Sequence, residues 1–518
     1  MAKPKLALIP AAQGDKFYSV LPSDGVGDFD FTRNSSATRI APTGFIETSE
    51  LFGSDLLSGY DFTSGWVLYS GATSTSNSFT GFNNSGIYKS ILVSGKTYKM
   101  VIAGNTTSAN GASVSDFPET QNYKSVSSGA FSETFYFQAN GTNLFLTNNS
   151  LGTTTFTTLS LQEQIGKSRL DYDLLNGKVV NCPHYLLEPA STNLIAYSED
   201  FSNVYWTKGT NGSGSVTINQ NAITSPDGTL NADEIVIVGG AGNLQFVYRN
   251  ITGLTITNGN KYNTSVYVKG QGTIDLIFRF GGGAQGSTVQ RLTLSNTWVR
   301  HNITLTATGT ASNAEVFFQS QTGATSTNFY AWGFQVEALS YPTSYIPTNG
   351  TAITRAAESA NGSGNAATFN DSEGVLMAEI AALANDLTFR LIALKGTSDD
   401  IRFGYRTTSN AIYVDAPNAF LVATVNDIKT YNKVAIKYGA TGTKFFINGF
   451  ELGVDADDSS FSGIDTLDFD ATGSSNYFFG KTRELQYFDS ALTDAQLETL
   501  TSWTSLQEMI TSQLYTNY

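Results

Sequence analysis

One cysteine, Cys182, stands among 518 residues, so no internal disulfide can staple the chain and its stability has to come from burial and association. Charge is scarce too. Asp, Glu, Lys and Arg make up 14% of the chain, against about 25% in a typical globular domain. The balance is acidic, −14 overall. A phosphate binder needs a basic face to release counterions, so this balance argues against nucleic acid, and equally against an anionic lipid surface. The plainest role of that charge is to keep the particle soluble. No run nears the 18 or so apolar residues of a membrane helix, so no membrane insertion is expected. The opening MAKPKLALIPAAQGDKF has too short an apolar run for a signal peptide. Histidine is nearly absent as well: His184 and His301 lie far apart, and neither sits in a metal-ligand spacing such as HExxH.

What is abundant points one way. The chain is 40% hydrophobic with 34 Phe, 25 Tyr and 49 Gly. Aromatic and β-branched residues broken by turn formers read as many short strands. That apolar content is too high for a disordered chain. The fold class is therefore all-β, in roughly three or four domains for this length.

Residues 1–49 read as an arm of short strands, with Pro22, Gly25 and Gly27 as breakers and a turn at Pro42 and Gly44. Residues 50–164 read as one β-sandwich, its strands at about 8–12-residue spacing. Residues 165–192 return to the style of the arm, as if the preceding domain had been inserted. There YLLEPASTNL reads as a strand stopped by Pro189, with Ser191, Thr192 and Asn193 holding a corner. Residues 193–340 repeat 50–164: Asp61, Phe62 and Trp66 match Asp200, Phe201 and Trp206, and GKTYKMVIAG matches GNKYNTSVYVKG. A repeat of this length means two copies of one sandwich. Residues 341–368, with Pro342, Pro347 and a Gly-Ser-Asn end, read as an extended and then flexible linker. Residues 369–518 form a third unit. Its Asn448 and Gly449 are a hairpin signal, and LTDAQLETLTSW is a helix with a capping box from Thr493 to Gln496. Leu492, Leu497 and Leu500 are placed to face the sandwich.

Three blocks in order, TRNSSATRIAPTGFIE, then SRLDYD with CPHYLLEPASTNLIAYSEDFS, then FQVEALSYPTSYIPTNGTAITRAAE, resemble a family of tailed-bacteriophage virion proteins. Residues 193–340 are similar to carbohydrate-binding-module-like jelly rolls. Residues 369–518, through FFINGFELG and GKTRELQYFDSALTDAQLETLTSW, resemble concanavalin A-like (laminin-G-like) lectin domains. The resemblance implies tandem jelly rolls, a C-terminal lectin-like sandwich with one short helix, and a homotrimeric tail fibre or appendage in the virion, made in the host cytoplasm. Residues 1–49 would then be a virion-attachment arm. Its implied partners are other virion proteins and host-surface polysaccharide.

Candidate sites are few. Cys182 beside His184 suggests nucleophilic chemistry, but a lone cysteine serves more often as a small apolar side chain. Asp455, Asp457 and Asp458 form an acidic loop of the kind that holds Ca²⁺, or a solvated turn. Asp227, Asp233 and Glu234 in SPDGTLNADE are a second and weaker candidate of that kind, its Pro-Asp-Gly already explained by a turn. Trp66, Trp206 and Trp332 are candidates to stack on sugar rings, but the repeat sets Trp66 and Trp206 at equivalent strand positions, which favours a core role. Gly281, Gly282 and Gly283 do not open a helix in a βαβ unit and read as a loop tip, not a nucleotide site. Tyr405, Tyr413 and Phe420 are the candidates to reach a ligand at the rim of the last sandwich. No catalytic pair emerges, and the expectation is a binding protein without enzymatic activity. A purely structural decoration or baseplate part and a capsule depolymerase are the alternatives.

Overall fold

A computed structural model describes residues 3–10, 16–118, 121–166, 168–175, 178–179, 183–239, 244–321, 326–397, 399–457, 461–471 and 476–503. The fold is all-β, with one α-helix among the described residues. The chain divides into two units. One is Met1–Arg33 with Ala37–Ser49 and Lys167–Tyr518; the other is Asn34–Ser36 with Glu50–Gly166.

The second unit is a sandwich of two sheets. In order, one sheet holds Gly129–Gln138, Thr97–Thr106, Gly152–Gly166, Ser78–Gly81 and Thr73–Ser74. The other holds Asn122–Val126, Ala112–Asp116, Asn143–Asn148, Ser85–Ser90 and Val67–Tyr69. The strands alternate because one face of each must meet the opposite sheet. Thr97–Thr106 puts Tyr98, Met100 and Ile102 into the core this way.

Within the first unit, the jelly roll repeats that topology. Its sheets run Val299–Thr306, Lys261–Gly270, Thr327–Glu337, Leu230–Val238, Ser215–Thr224, and Ser287–Thr293, Thr273–Phe280, Ala311–Gln319, Gln245–Ile256, Thr207–Thr210. With each sandwich's ten strands numbered in chain order, both give 8-5-10-3-2 and 7-6-9-4-1. The matched residues also do the same work. Phe62 meets Trp66 with ring centroids 5.1 Å apart, and Phe201 meets Trp206 at 5.0 Å. Asp61 Oδ1 accepts Thr63 N, and Asp200 Oδ1 accepts Asn203 N. Trp66 and Trp206 are buried as expected, and Trp332 is buried too.

The first unit's other sandwich recruits distant segments. One sheet runs Arg169–Asp171, His184–Leu187, Gly480–Phe488, Glu373–Ala382, Asn432–Gly439, Thr443–Ile447, Phe450–Asp455, with Leu6–Leu8 also paired to Gly480–Phe488. The facing sheet runs Ala419–Thr424, Ala411–Ala416, Asp400–Tyr405, Arg390–Lys395, Thr466–Asp468. Asn448 and Gly449 have φ of 50° and 90°, the positive pair a two-residue hairpin needs. The helix Asp494–Thr501 carries the expected capping box, and Leu492, Leu497 and Leu500 pack on the sheet.

The arm is part of this core. Phe17, Phe29 and Phe31 are buried in one cluster with Tyr185 and Tyr487. The segment read as an extended and then flexible linker, 341–368, is instead pinned at several points. Ile353–Arg355 pairs with Ser191–Asn193, and Ser359–Asn361 pairs with Phe29–Thr32. The polar composition that suggests a loose linker goes into specific bonds. Asn193, past the predicted stop at Pro189, donates to Phe334 O and Ile346 O and accepts from Ile195 N and Val336 N.

A buried ion network joins these segments. Arg169 Nε donates to Glu358 Oε1 at 2.8 Å and Nη2 to Glu188 Oε2 at 2.7 Å; Nη2 also reaches Glu358 Oε2. Arg33 Nη1 donates to Glu358 Oε1, and Arg355 Nη1 to Glu188 Oε2, each at 2.7 Å. Burial opposes ionisation of Glu188, but Arg355 and Arg169 outweigh it and hold the carboxyl well below its ordinary 4.5. A carboxylate depressed in the fold contributes stability that is complete above its unfolded pKa and is lost as pH falls toward its folded one. Asp173, against Lys481, His184 and Arg483, is depressed in the same way. Glu379 and Glu199, raised by burial, act in the opposite sense. Glu188→Gln is therefore expected to lower the thermal midpoint at pH 7 and to flatten the fall seen below about pH 4.5. Scans of both chains from pH 7 to pH 2 check this, and parallel acid limbs would contradict it.

Candidate functional site

The rim candidates lie on the sheet Ala419–Thr424, Ala411–Ala416, Asp400–Tyr405, Arg390–Lys395, and strand alternation separates them. Tyr405 pairs with Ile412 and points into the core, 2% exposed, so it is not a rim residue. Gly404, one position earlier, pairs with Tyr413 on the opposite face, and Tyr413 pairs with Val422. Two rows cross this outer face. One is Leu391, Gly404, Tyr413, Val422; the other is Ala393, Arg402, Asp415, Phe420.

The structure thus brings Tyr413 and Phe420 together, ring centroids 5.7 Å apart. Phe420 is 55% exposed, while Tyr413 is nearly covered. Phe389 closes the far side of Tyr413 at 5.8 Å. The Arg406 guanidinium lies 5.2 Å from the Phe420 ring centre and 5.9 Å from that of Tyr413. Arg402 Nη2 pairs with Asp415 Oδ2 at 2.9 Å, partly in solvent. The Nε atoms of Arg402 and Arg406 are buried without a hydrogen-bond partner among the described residues. Burial, and then Asp415, push the Tyr413 hydroxyl up to about 12, so it stays a neutral donor at neutral pH. A flat ring beside a planar guanidinium and a carboxylate can stack on an apolar ring face and bond paired hydroxyls. Sequence reasoning missed Arg402, Arg406 and Asp415. Their signal was the period of two in Arg402, Gly404, Arg406 and in Tyr413, Asp415, which puts Tyr405 out of phase.

The other candidates separate. Asp455 Oδ1 accepts Asp457 N at 3.1 Å; Asp458 lies outside the described residues. Among those residues no three His, Cys, Asp or Glu side chains converge as a metal site. Asp227 accepts Thr229 N and Ser225 Oγ in the expected turn. Asp233 is taken up by Phe201 N and Asn221 N, and Glu234 by Asn219 and Asn328. Gly281–Gly283 forms a one-turn 3-10 element between two strands. Cys182 lies outside the described residues. His184 is fully buried, 3.4 Å from Asp171 and 3.6 Å from Asp173, with neither ring nitrogen hydrogen-bonded among the described residues.

No family model matches the chain, and no curated protein matches it. Among solved structures it is similar to the enzymatically active domain of tailspike protein 4 of bacteriophage CBA120, at 16% identity over 28% of this chain and 21% of that one, TM-score 0.24. It is also similar to the N-terminal tandem CBM22 domains of Paenibacillus barcinonensis Xyn10C, at 11% identity over 55% and 98%, TM-score 0.26. A third is Trypanosoma rangeli sialidase in complex with sialic acid, at 10% identity over 94% and 99%, TM-score 0.23. The chain spans about a fifth of the tailspike domain. At such identities and TM-scores, neither family nor function transfers.

Proposed function

We propose that this protein is a glycan-binding appendage of a tailed-phage virion, acting by avidity and without chemistry. The observation that carries the reading is the outer face of the last sandwich: an exposed ring, Phe420, beside Arg406 and the partly exposed Arg402–Asp415 pair. Rings supply stacking area and the ion pair supplies directional bonds, the combination that sugars need. The three sequence blocks that resemble virion proteins suggest the setting. On this reading the chain is a homotrimer, and weak single sites suffice because linked copies raise the effective concentration. Its partners are other virion proteins and host-surface polysaccharide.

A glycan array probed with the intact, multivalent protein tests this. Phe420→Ala removes a solvent-facing ring, so folding should hold within about 0.5 kcal/mol while monovalent affinity falls about tenfold. An array with no binder would leave the purely structural reading. Shortened capsule chains, with activity lost on a single Asp or Glu change, would establish a depolymerase instead.

A further inference from the structure

A second site lies elsewhere in the first unit. A cavity of about 260 Å³ opens between the hairpin of Thr38–Ile40 and Ile46–Thr48, the strand His184–Leu187, the jelly roll, the segment 342–345 and the last sandwich. Four cations line it, Arg39, Arg300, Lys429 and Lys481, against two carboxylates, Asp171 and Glu188. Glu188 is neutralised by its own arginines, whereas Asp171 keeps its charge beside Lys481. Glu188 is shared between Arg169 and Arg355, and Asp171 accepts Ile40 N at 2.5 Å. Three of the cations have a carboxylate outside the lining: Arg39 has Glu47, Lys429 has Asp427 and Lys481 has Asp173. Arg300 makes no ion pair with a carboxylate among the described residues, so of the four cations it is the one left to meet an incoming anion.

Arg300 is held in place by its neighbours. Its Nη1 donates to Thr343 O at 2.7 Å and its Nη2 to Ser265 Oγ at 2.9 Å. Its guanidinium lies 5.4 Å from the Tyr267 ring centre. Its Nε is buried with no partner among the described residues. A buried donor without an acceptor is costly unless something arrives to accept from it. Lys481 stays charged despite burial because Asp173 outweighs the desolvation, and Lys429 stands exposed at the rim.

We propose that this cavity binds one carboxylate-bearing sugar unit, a hexuronate or a sialate. The cavity falls just below the roughly 300–1,000 Å³ of drug-sized pockets, which suits a single sugar ring and leaves a lone tetrahedral anion loosely held. Arg300 and Lys481 face the carboxylate, and Tyr267 and Ser344 face the ring. The sugar part of this assignment rests on the glycan-binding reading; the anionic part rests on the lining alone.

Isothermal titration of the intact protein with glucuronate, N-acetylneuraminate, glucose and sulfate tests it. One of the two acidic sugars should bind saturably and weaken with added salt, with glucose at least about tenfold weaker. Arg300→Gln should cost about tenfold. Lys429→Gln, an exposed change that leaves folding intact, should cost about threefold. No saturable binding of either acidic sugar, an affinity indifferent to both substitutions, or sulfate bound as tightly as the sugars would overturn the assignment. Acidic-sugar binding that depends on Arg300 with a blank array would keep this site and sink the adhesin reading. Array binding that depends on Phe420 with no titration signal would do the reverse.

Discussion

Arg169→Met is expected to destabilise the first unit by about 3–5 kcal/mol, the cost of taking the shared partner out of a buried ion network. Arg169 is fully buried and serves both carboxylates of the network, Glu188 and Glu358, as well as Thr38 O and Ser344 Oγ. After its removal Glu358 keeps Arg33 and Glu188 keeps Arg355, so the network loses its centre but not its ends. The methionine fills much of the volume, which makes the loss electrostatic and not a cavity effect. A second change tests the coupling: Arg169→Met with Glu358→Gln removes both ends of one contact, so the double variant should be more stable than the sum of the singles predicts. Denaturant unfolding followed by tryptophan emission measures both. Trp332 packs on Tyr345, beside the segment that Arg169 holds. A loss under about 1 kcal/mol would show that the network is only decorative.

Phe17→Ala should cost a similar amount, about 3–5 kcal/mol, for a different reason. Phe17 stacks on Tyr185 at 4.0 Å with planes 9° apart, and Phe31 and Phe469 lie 5.7 Å away. It is fully buried, so truncation leaves a void that the strands around it cannot close together. Val20→Ala, at a position 45% exposed in the same arm, should stay within about 0.5 kcal/mol. The contrast separates an arm that is part of a core from one that merely lies on it. Equal effects at both positions would contradict the packing seen here.

The features legible in the sequence are local ones. The repeat shows in Asp61, Phe62, Trp66 against Asp200, Phe201, Trp206, because the same core needs the same rings at the same strand positions. The turn at Gly44, the hairpin at Asn448 and Gly449 and the cap at Thr493 depend on a few adjacent backbone angles, which adjacent residues dictate. Alternation separates the two faces of Asp400–Tyr405 but leaves open which face meets the core. For that reason Tyr405 reads alongside Tyr413 in the sequence and lies on the other side of the sheet in the fold.

The sequence by itself determined the class of fold, its repetition and a few local turns and the helix cap, since each follows from short-range periodicity and turn chemistry. Only the tertiary structure decided where the polar residues of 341–368 go, that Arg33 meets Glu358 across 325 positions, and that four cations gather around one cavity. Contacts between residues so far apart leave no periodic trace in either partner. Their loop-closure cost is met by the whole sandwich closing together.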